Sequence, residues 1–240
     1  MESSKQKHGL RCGRSCLIVA AFILAAVGYG TKLYLDRRFQ SEAALLAQSL
    51  GLKPGMVVAD VGAGDGKWTV AMAARVGAQG RVFSTEIAPN RLDDIRRAAV
   101  AAKLTNVTVV QGAAEASNLP DNCCDAIFLR NVYHHFKRPD EMNQSLWRAL
   151  RPGGRLAVID FAPRSWLWFS RPTDVPANRG GHGIPRAIII DELAAADFLV
   201  ERIVTPWPDR WTPGSYCLLF RKPTQILFTM RRATLPGVIN

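Results

Sequence analysis

The most constraining stretch of the chain is Asp60-Val61-Gly62-Ala63-Gly64-Asp65-Gly66. It follows the apolar run Val57–Val61 and precedes the helical pattern Lys67–Val76. Glycines at alternate positions let the backbone turn tightly and let a ligand come close. A helix N-terminus adds free N–H groups at the same place. A loop of this kind sits at the carboxyl end of a strand, where open α/β sheets bind their ligands. A dinucleotide fingerprint would need G-x-G-x-x-G, but its third position is Lys67. The spacing here is D-x-G-x-G-x-G, and an acid ahead of the first glycine suits a cationic ligand better than a pyrophosphate.

The rest of the chain alternates strand and helix patterns. Strands are expected at Val57–Val61, Arg81–Glu86, Val107–Gln111, Asp125–Arg130, Arg155–Phe161, Leu199–Thr205 and Ser215–Arg221. Helices are expected at Lys67–Val76, Asn90–Lys103, Pro139–Leu150 and Pro185–Asp197. Such alternation implies βαβ units and a parallel sheet covered on both faces. The last two strands have no helix between them, which points to an antiparallel hairpin at one edge. The expected fold is therefore a doubly wound, mostly parallel seven-stranded α/β sheet. Its domain should span 53–222, after a linker helix at 36–52 and before a basic tail at 223–240.

The N-terminus differs in character. Ser15 to Thr31 carries no charge, and as a helix it would span roughly 25 Å, at the short end for crossing a bilayer. Residues 15–35 read as a transmembrane helix after a basic segment at 1–14. A cleaved signal peptide is the rival, because Gly28-Tyr29-Gly30 is a small-x-small site. The net charge of +11 is concentrated at the two ends, with seven Lys/Arg in residues 1–38 and six in 201–240. Basic ends beside an apolar segment suit anionic lipid headgroups, and no nucleic-acid partner is expected. The five cysteines include no CxxC pair, so free thiols, no metal site and a reducing compartment are expected. This favours a single-pass protein with its domain facing the cytosol, export after signal cleavage being the alternative.

A cationic ligand with an adenosyl part fits the loop. Glu86 ends the second strand and is placed to accept hydrogen bonds from both ribose hydroxyls. S-adenosylmethionine, a sulfonium with an amino group, has the right sign of charge. From Gly51 to Phe161 the chain also resembles class I methyltransferases that use this cofactor, above all the type 11 group of ubiquinone and menaquinone biosynthesis. VVADVGAGDGKWT resembles their first motif and STEIAP their acidic second strand. VVQGAAEASNLPDNCCDAIFLRNVYHHF resembles their G-D-A-E-x-L-P … F-D … V-L-H-H stretch, and LWRALRPGGRLAVIDF their R-V-L-K-P-G-G … D-F stretch. The resemblance implies cofactor contacts from Asp60, Gly62, Ala63, Gly64 and Gly66 in the first loop, and from Glu86 and Ile87 in the second. It places Ala113, Ala114 and Glu115 by the adenine, and Arg130 and Asn131 near the methionyl part. The family's aspartate, which accepts from the adenine amino group, is replaced by Ala113, so a neighbour such as Asn118 must substitute or binding is weakened.

Methyl transfer is an in-line displacement that depends chiefly on alignment. A base is needed only where the nucleophile must lose a proton. Tyr133, His134, His135 and Asp160 stand at carboxyl ends of strands, and His182 lies in the glycine-rich loop 178–183. His182 is the first choice for a substrate-side group. The adjacent His134 and His135 also suit a structural role, and Asp160 also suits ordering its strand end. The absence of N-P-P-Y after Asn131 argues against adenine or amide nitrogen as acceptor. Trp166, Trp168 and Phe169, between Arg164 and Arg171, suggest a loop that meets the bilayer and a small or lipophilic substrate. Two rivals stand beside methyl transfer: a catalytically silent scaffold on the same fold, and a nucleotide-dependent oxidoreductase.

Overall fold

A computed structural model describes residues 14–164, 175–179, 182–209 and 212–224. It divides into two units, Met1–Ser41 and Glu42–Asn240. In the first unit, helix α1 (Arg14–Leu50) exposes Ile18, Phe22, Ile23, Leu24 and Val27 on all sides. The helix is long and apolar enough to cross a membrane. The separate anchor and linker helix expected from the sequence are one continuous helix, with no proline between residues 15 and 50 to break it.

In the second unit, the last turns of α1 bury Ala43, Leu46 and Leu50, which recur at helical spacing. The chain then runs through β1 (Val57–Val61), α2 (Lys67–Val76), β2 (Arg81–Glu86), α3 (Pro89–Ala101), β3 (Val107–Gln111) and β4 (Cys124–Arg130). It continues with α4 (Pro139–Ala149), β5 (Leu150–Phe161), α5 (Arg186–Ala195), β6 (Leu199–Val204) and β7 (Ser215–Arg221). The strands form one seven-stranded sheet in the order β3-β2-β1-β4-β5-β7-β6. The first five are parallel, whereas β7 pairs antiparallel with both β5 and β6. The expected hairpin thus exists, with β7 inserted inside the edge strand β6.

Strand alternation assigns side chains to faces. Ala59 and Val61 of β1 join the main core with Met142 and Leu146 of α4 and Ile189 and Leu193 of α5. Val58 and Asp60 face the other way, toward α2. The strand order reverses between β1 and β4, and ligands of doubly wound sheets bind at the carboxyl ends of strands beside such a reversal. Most boundaries differ from the expected ones by two residues at most, but β5 begins at Leu150, which pairs with Cys124, so the Pro152-Gly153-Gly154 stretch lies inside an irregular strand.

Candidate active site

The loop after β1 is built by left-handed backbone. Gly62 has φ +76°, and a Cβ there would lie 2.5 Å from Val132 Cγ2. Gly64 has φ +57°, and a Cβ there would meet nothing within 4 Å, which leaves open space above the loop. The Gly62 and Ala63 N–H groups donate to Thr85 O at 2.9 and 3.0 Å and so tie the loop to β2. At the end of β2 the Glu86 carboxylate accepts from Gly64 N–H at 3.0 Å and from Ile87 N–H at 2.7 Å. Each oxygen keeps a lone pair for a further donor.

Beside Glu86 lies a cavity of about 270 Å³, whose walls include Gly62, Thr85, Ile87, Ala113, Ser117, Val132, His135, Phe136 and Met142. It is mostly apolar, with the Glu86 carboxylate at its rim, as a flat heterocycle joined to a ribose would require. A second cavity, of about 280 Å³, is lined by Asn131, His134, His135, Phe161, Arg164, His182 and Thr212. His135 lines both, so the two spaces adjoin at that side chain.

Three histidine rings crowd the second cavity. The ring centroids of His134 and His135 are 4.0 Å apart, and those of His134 and His182 are 4.8 Å apart. His134 Nδ1 lies 2.9 and 3.1 Å from the two carboxylate oxygens of Asp160. The Asp160 carboxylate also accepts from Phe161 N–H at 2.9 Å and His134 N–H at 3.2 Å. Both side chains are buried, and His134 Nε2 has no hydrogen-bond partner. Burial lowers the pKa of His135 to about 4, with the neighbouring His134 and His182 adding to the effect. His135 is therefore a neutral ring at physiological pH.

Other expected residues stand elsewhere. Asp60 is 2% exposed and lines neither cavity, because strand alternation turns it toward α2. There its carboxylate accepts from Thr69 Oγ1 at 2.7 Å. Burial pushes its pKa up to about 7, the Thr69 hydrogen bond opposes this, and the Glu86 charge adds to it. Arg130 also lines neither cavity. Its guanidinium pairs with Glu42 at 3.1 Å and Asp209 at 2.9 Å and covers the Trp68 ring at 4.9 Å. Tyr133, expected beside the substrate, is instead fully buried, and its hydroxyl accepts from Asn143 Nδ2 at 2.8 Å. Ala114 and Glu115 are displaced from the first cavity by Ala116 and Ser117. The turn that does this is closed by Ala113 N–H donating to Ala116 O at 2.8 Å. Asn118 is directed to Gln111 O at 3.0 Å and does not stand in for an acid at Ala113.

Asn131, with φ +56°, lines the second cavity, and its buried Oδ1 has no hydrogen-bond partner. Sequence reasoning missed Val132, Phe136 and Met142 as cavity walls, since each reads equally well as core. Trp166, Trp168 and Phe169 lie outside the described residues, as do the segment 1–13 and the tail beyond 224. Among the described residues no group of His, Cys, Asp or Glu has the geometry of a metal site.

Comparison with known proteins follows the same outline. Residues 59–158 match the family model described as a methyltransferase domain. A ubiquinone/menaquinone biosynthesis C-methyltransferase of Vibrio cholerae is 34% identical over 116 residues, covering 47% of this chain and 44% of that protein. A demethylmenaquinone methyltransferase of Shouchella clausii is 34% identical over 119 residues, covering 47% and 48%. The chain thus spans about half the length of these curated relatives. Among solved structures, a SAM dependent methyltransferase from Aquifex aeolicus matches with a TM-score of 0.62 at 23% identity, over 75% of this chain and 89% of that one.

Proposed function

We propose, from the premise that residues 59–158 form a class I methyltransferase domain, that the chain transfers a methyl group from S-adenosylmethionine to a lipophilic aromatic acceptor of the quinol type. One observation carries the reading: two cavities at the switch point of the sheet, one rimmed by Glu86 and one lined by histidines, meet at His135. The bound cofactor supplies an electrophilic methyl group on a sulfonium.

Everything else is the work of this chain. Glu86 receives the ribose hydroxyls, and the apolar walls at Ile87, Val132, Phe136 and Met142 hold the adenine. Asn131 Oδ1, buried and unpaired, accepts from the amino end. The buried Asp60 acts at a distance, adding negative charge behind the glycine loop. The second cavity holds the acceptor against the methyl group and excludes water, so that alignment contributes much of the rate. The names of the Vibrio and Shouchella relatives support a quinone-type acceptor. The exposed apolar residues of α1 support a membrane as its source.

Calorimetry on the full-length protein in detergent, with S-adenosylmethionine, tests the cofactor half. One site per chain is expected; no binding heat, the result for a silent scaffold, overturns it. The acceptor half is tested by transfer of methyl-labelled cofactor to a short-chain naphthoquinol, with glycine and a peptide lysine as controls. Transfer to the controls alone overturns that half.

A further inference from the structure

We infer that His134, held by Asp160, is the base that takes a hydroxyl proton from a phenolic or enolic acceptor in the second cavity. The inference rests on the methyltransferase reading and names a group whose sequence gave no reason to single it out from its neighbour.

Asp160 stands at the end of β5 and His134 in the short turn after β4, Tyr133–His135. A carboxylate accepts and does not donate, so the proton of the neutral ring sits on Nδ1 and the lone pair on Nε2. Asp160 is in turn fixed by two backbone N–H groups, those of Phe161 and His134. This is the arrangement in which a carboxylate orients an imidazole and stabilises its cation once it has taken a proton. The Nε2 atom is buried without a partner, although an unpaired buried acceptor is destabilising. The ring lines the cavity, and with Nδ1 taken by Asp160 the Nε2 edge is the one left for a ligand.

The surrounding groups leave this role to His134. Desolvation and the neighbouring His134 and His182 make His135 a weak base. Tyr216, on β7, is pushed well above its ordinary pKa by burial first and the Asp160 charge second. Phe161 meets the His134 ring edge-on at 5.0 Å. His182 and Arg164 also line the cavity, and their backbones are joined by Arg164 N–H donating to His182 O at 3.0 Å.

The step balances. The acceptor's O–H bond breaks, and its proton bonds to Nε2. The oxygen electron pair, directly or through the ring, forms the new bond to the methyl carbon. The S–CH3 bond breaks, with its pair remaining on sulfur. If the bond forms at oxygen, the imidazolium releases its proton to water. If it forms at a ring carbon, that carbon's proton goes to water and the imidazolium returns the hydroxyl proton. One proton leaves per methyl group on either route.

The test uses the full-length protein saturated with S-adenosylhomocysteine and 4-nitrophenol as probe, at a pH where the free probe is protonated. The expected result is a phenolate absorption band on binding. It should fall at least tenfold in His134→Gln and Asp160→Asn and return in part with Asp160→Glu. Methylation of the naphthoquinol should fall about 10²–10⁴-fold in His134→Gln while cofactor affinity stays within about twofold. A band undiminished in His134→Gln overturns the inference, as does a wild-type protein that binds cofactor but leaves the probe unionised. Should both variants unfold, the ¹⁵N spectrum of wild-type His134 decides: Nδ1–H with a bare Nε2 supports the role, and the opposite tautomer overturns it. Loss of cofactor binding by the wild type itself would refute the methyltransferase reading, a separate outcome.

Discussion

Glu86, which lines the first cavity, is joined to Gly64, the Gly64 N–H donating to Glu86 Oε2 at 3.0 Å. The bond links two residues 22 positions apart and fixes the carboxylate beside the glycine loop. Pre-positioned acceptors of this kind lose little freedom when a ligand arrives.

Glu86→Ala removes both the ribose acceptor and the tie to the loop. Loss of charged hydrogen bonds costs about 1.5–3 kcal/mol each, so cofactor affinity should fall at least tenfold. Calorimetry measures it, and Glu86→Asp should fall between the two.

Asp60 predicts a pH dependence. Its folded pKa of about 7 is above the ordinary carboxyl range, so its protonated form is favoured in the free protein. Its contribution to stability is present at low pH and is lost as pH rises through about 7. A cation bound at the glycine loop favours the ionised form, so binding expels a proton. Cofactor affinity should therefore rise by up to about tenfold per unit between pH 5 and 7, then level off. Asp60→Asn should flatten both the affinity profile and the thermal midpoint profile over that range.

Ala113 lines the first cavity, where the resemblance would put an aspartate. Asn118 is committed to Gln111 O and supplies no replacement. Ala113→Asp adds an acceptor at the cavity wall and should tighten cofactor binding by about 1 kcal/mol, roughly fivefold. Weaker binding would place the adenine amino group elsewhere.

Glu42 pins the end of α1 to the sheet. Its Oε1 accepts from Arg130 Nε at 3.1 Å and Trp207 Nε1 at 2.9 Å, and it is 7% exposed. Glu42→Ala leaves Arg130 with Asp209 alone and strands the Trp207 indole N–H, and should cost about 1–3 kcal/mol in urea unfolding. Glu42→Gln keeps the indole bond and should cost less.

The membrane reading has its own check. The exposed apolar residues Phe22, Ile23 and Leu24 should hold the chain in the membrane fraction after alkaline carbonate washing. Replacing all three by lysine should release it, since each charge near a bilayer centre costs about 2.5–3.5 kcal/mol.

The sequence by itself determined what depends on neighbours along the chain. The alternating strands and helices, the glycine loop and the acid at the end of β2 were legible because turn geometry and periodicity are local. The apolar helix before Ser41 was legible for the same reason. Tertiary structure decided the rest. Strand alternation, together with the position of Thr69, turned Asp60 inward. Arg130 found its partners 88 and 79 residues away, at Glu42 and Asp209. His134 and His135 are indistinguishable in the sequence. Only the packing of β5 beside β4 gives one of them a carboxylate, because adjacent side chains in a tight turn point to different neighbours, and no local rule specifies which neighbour the fold brings there.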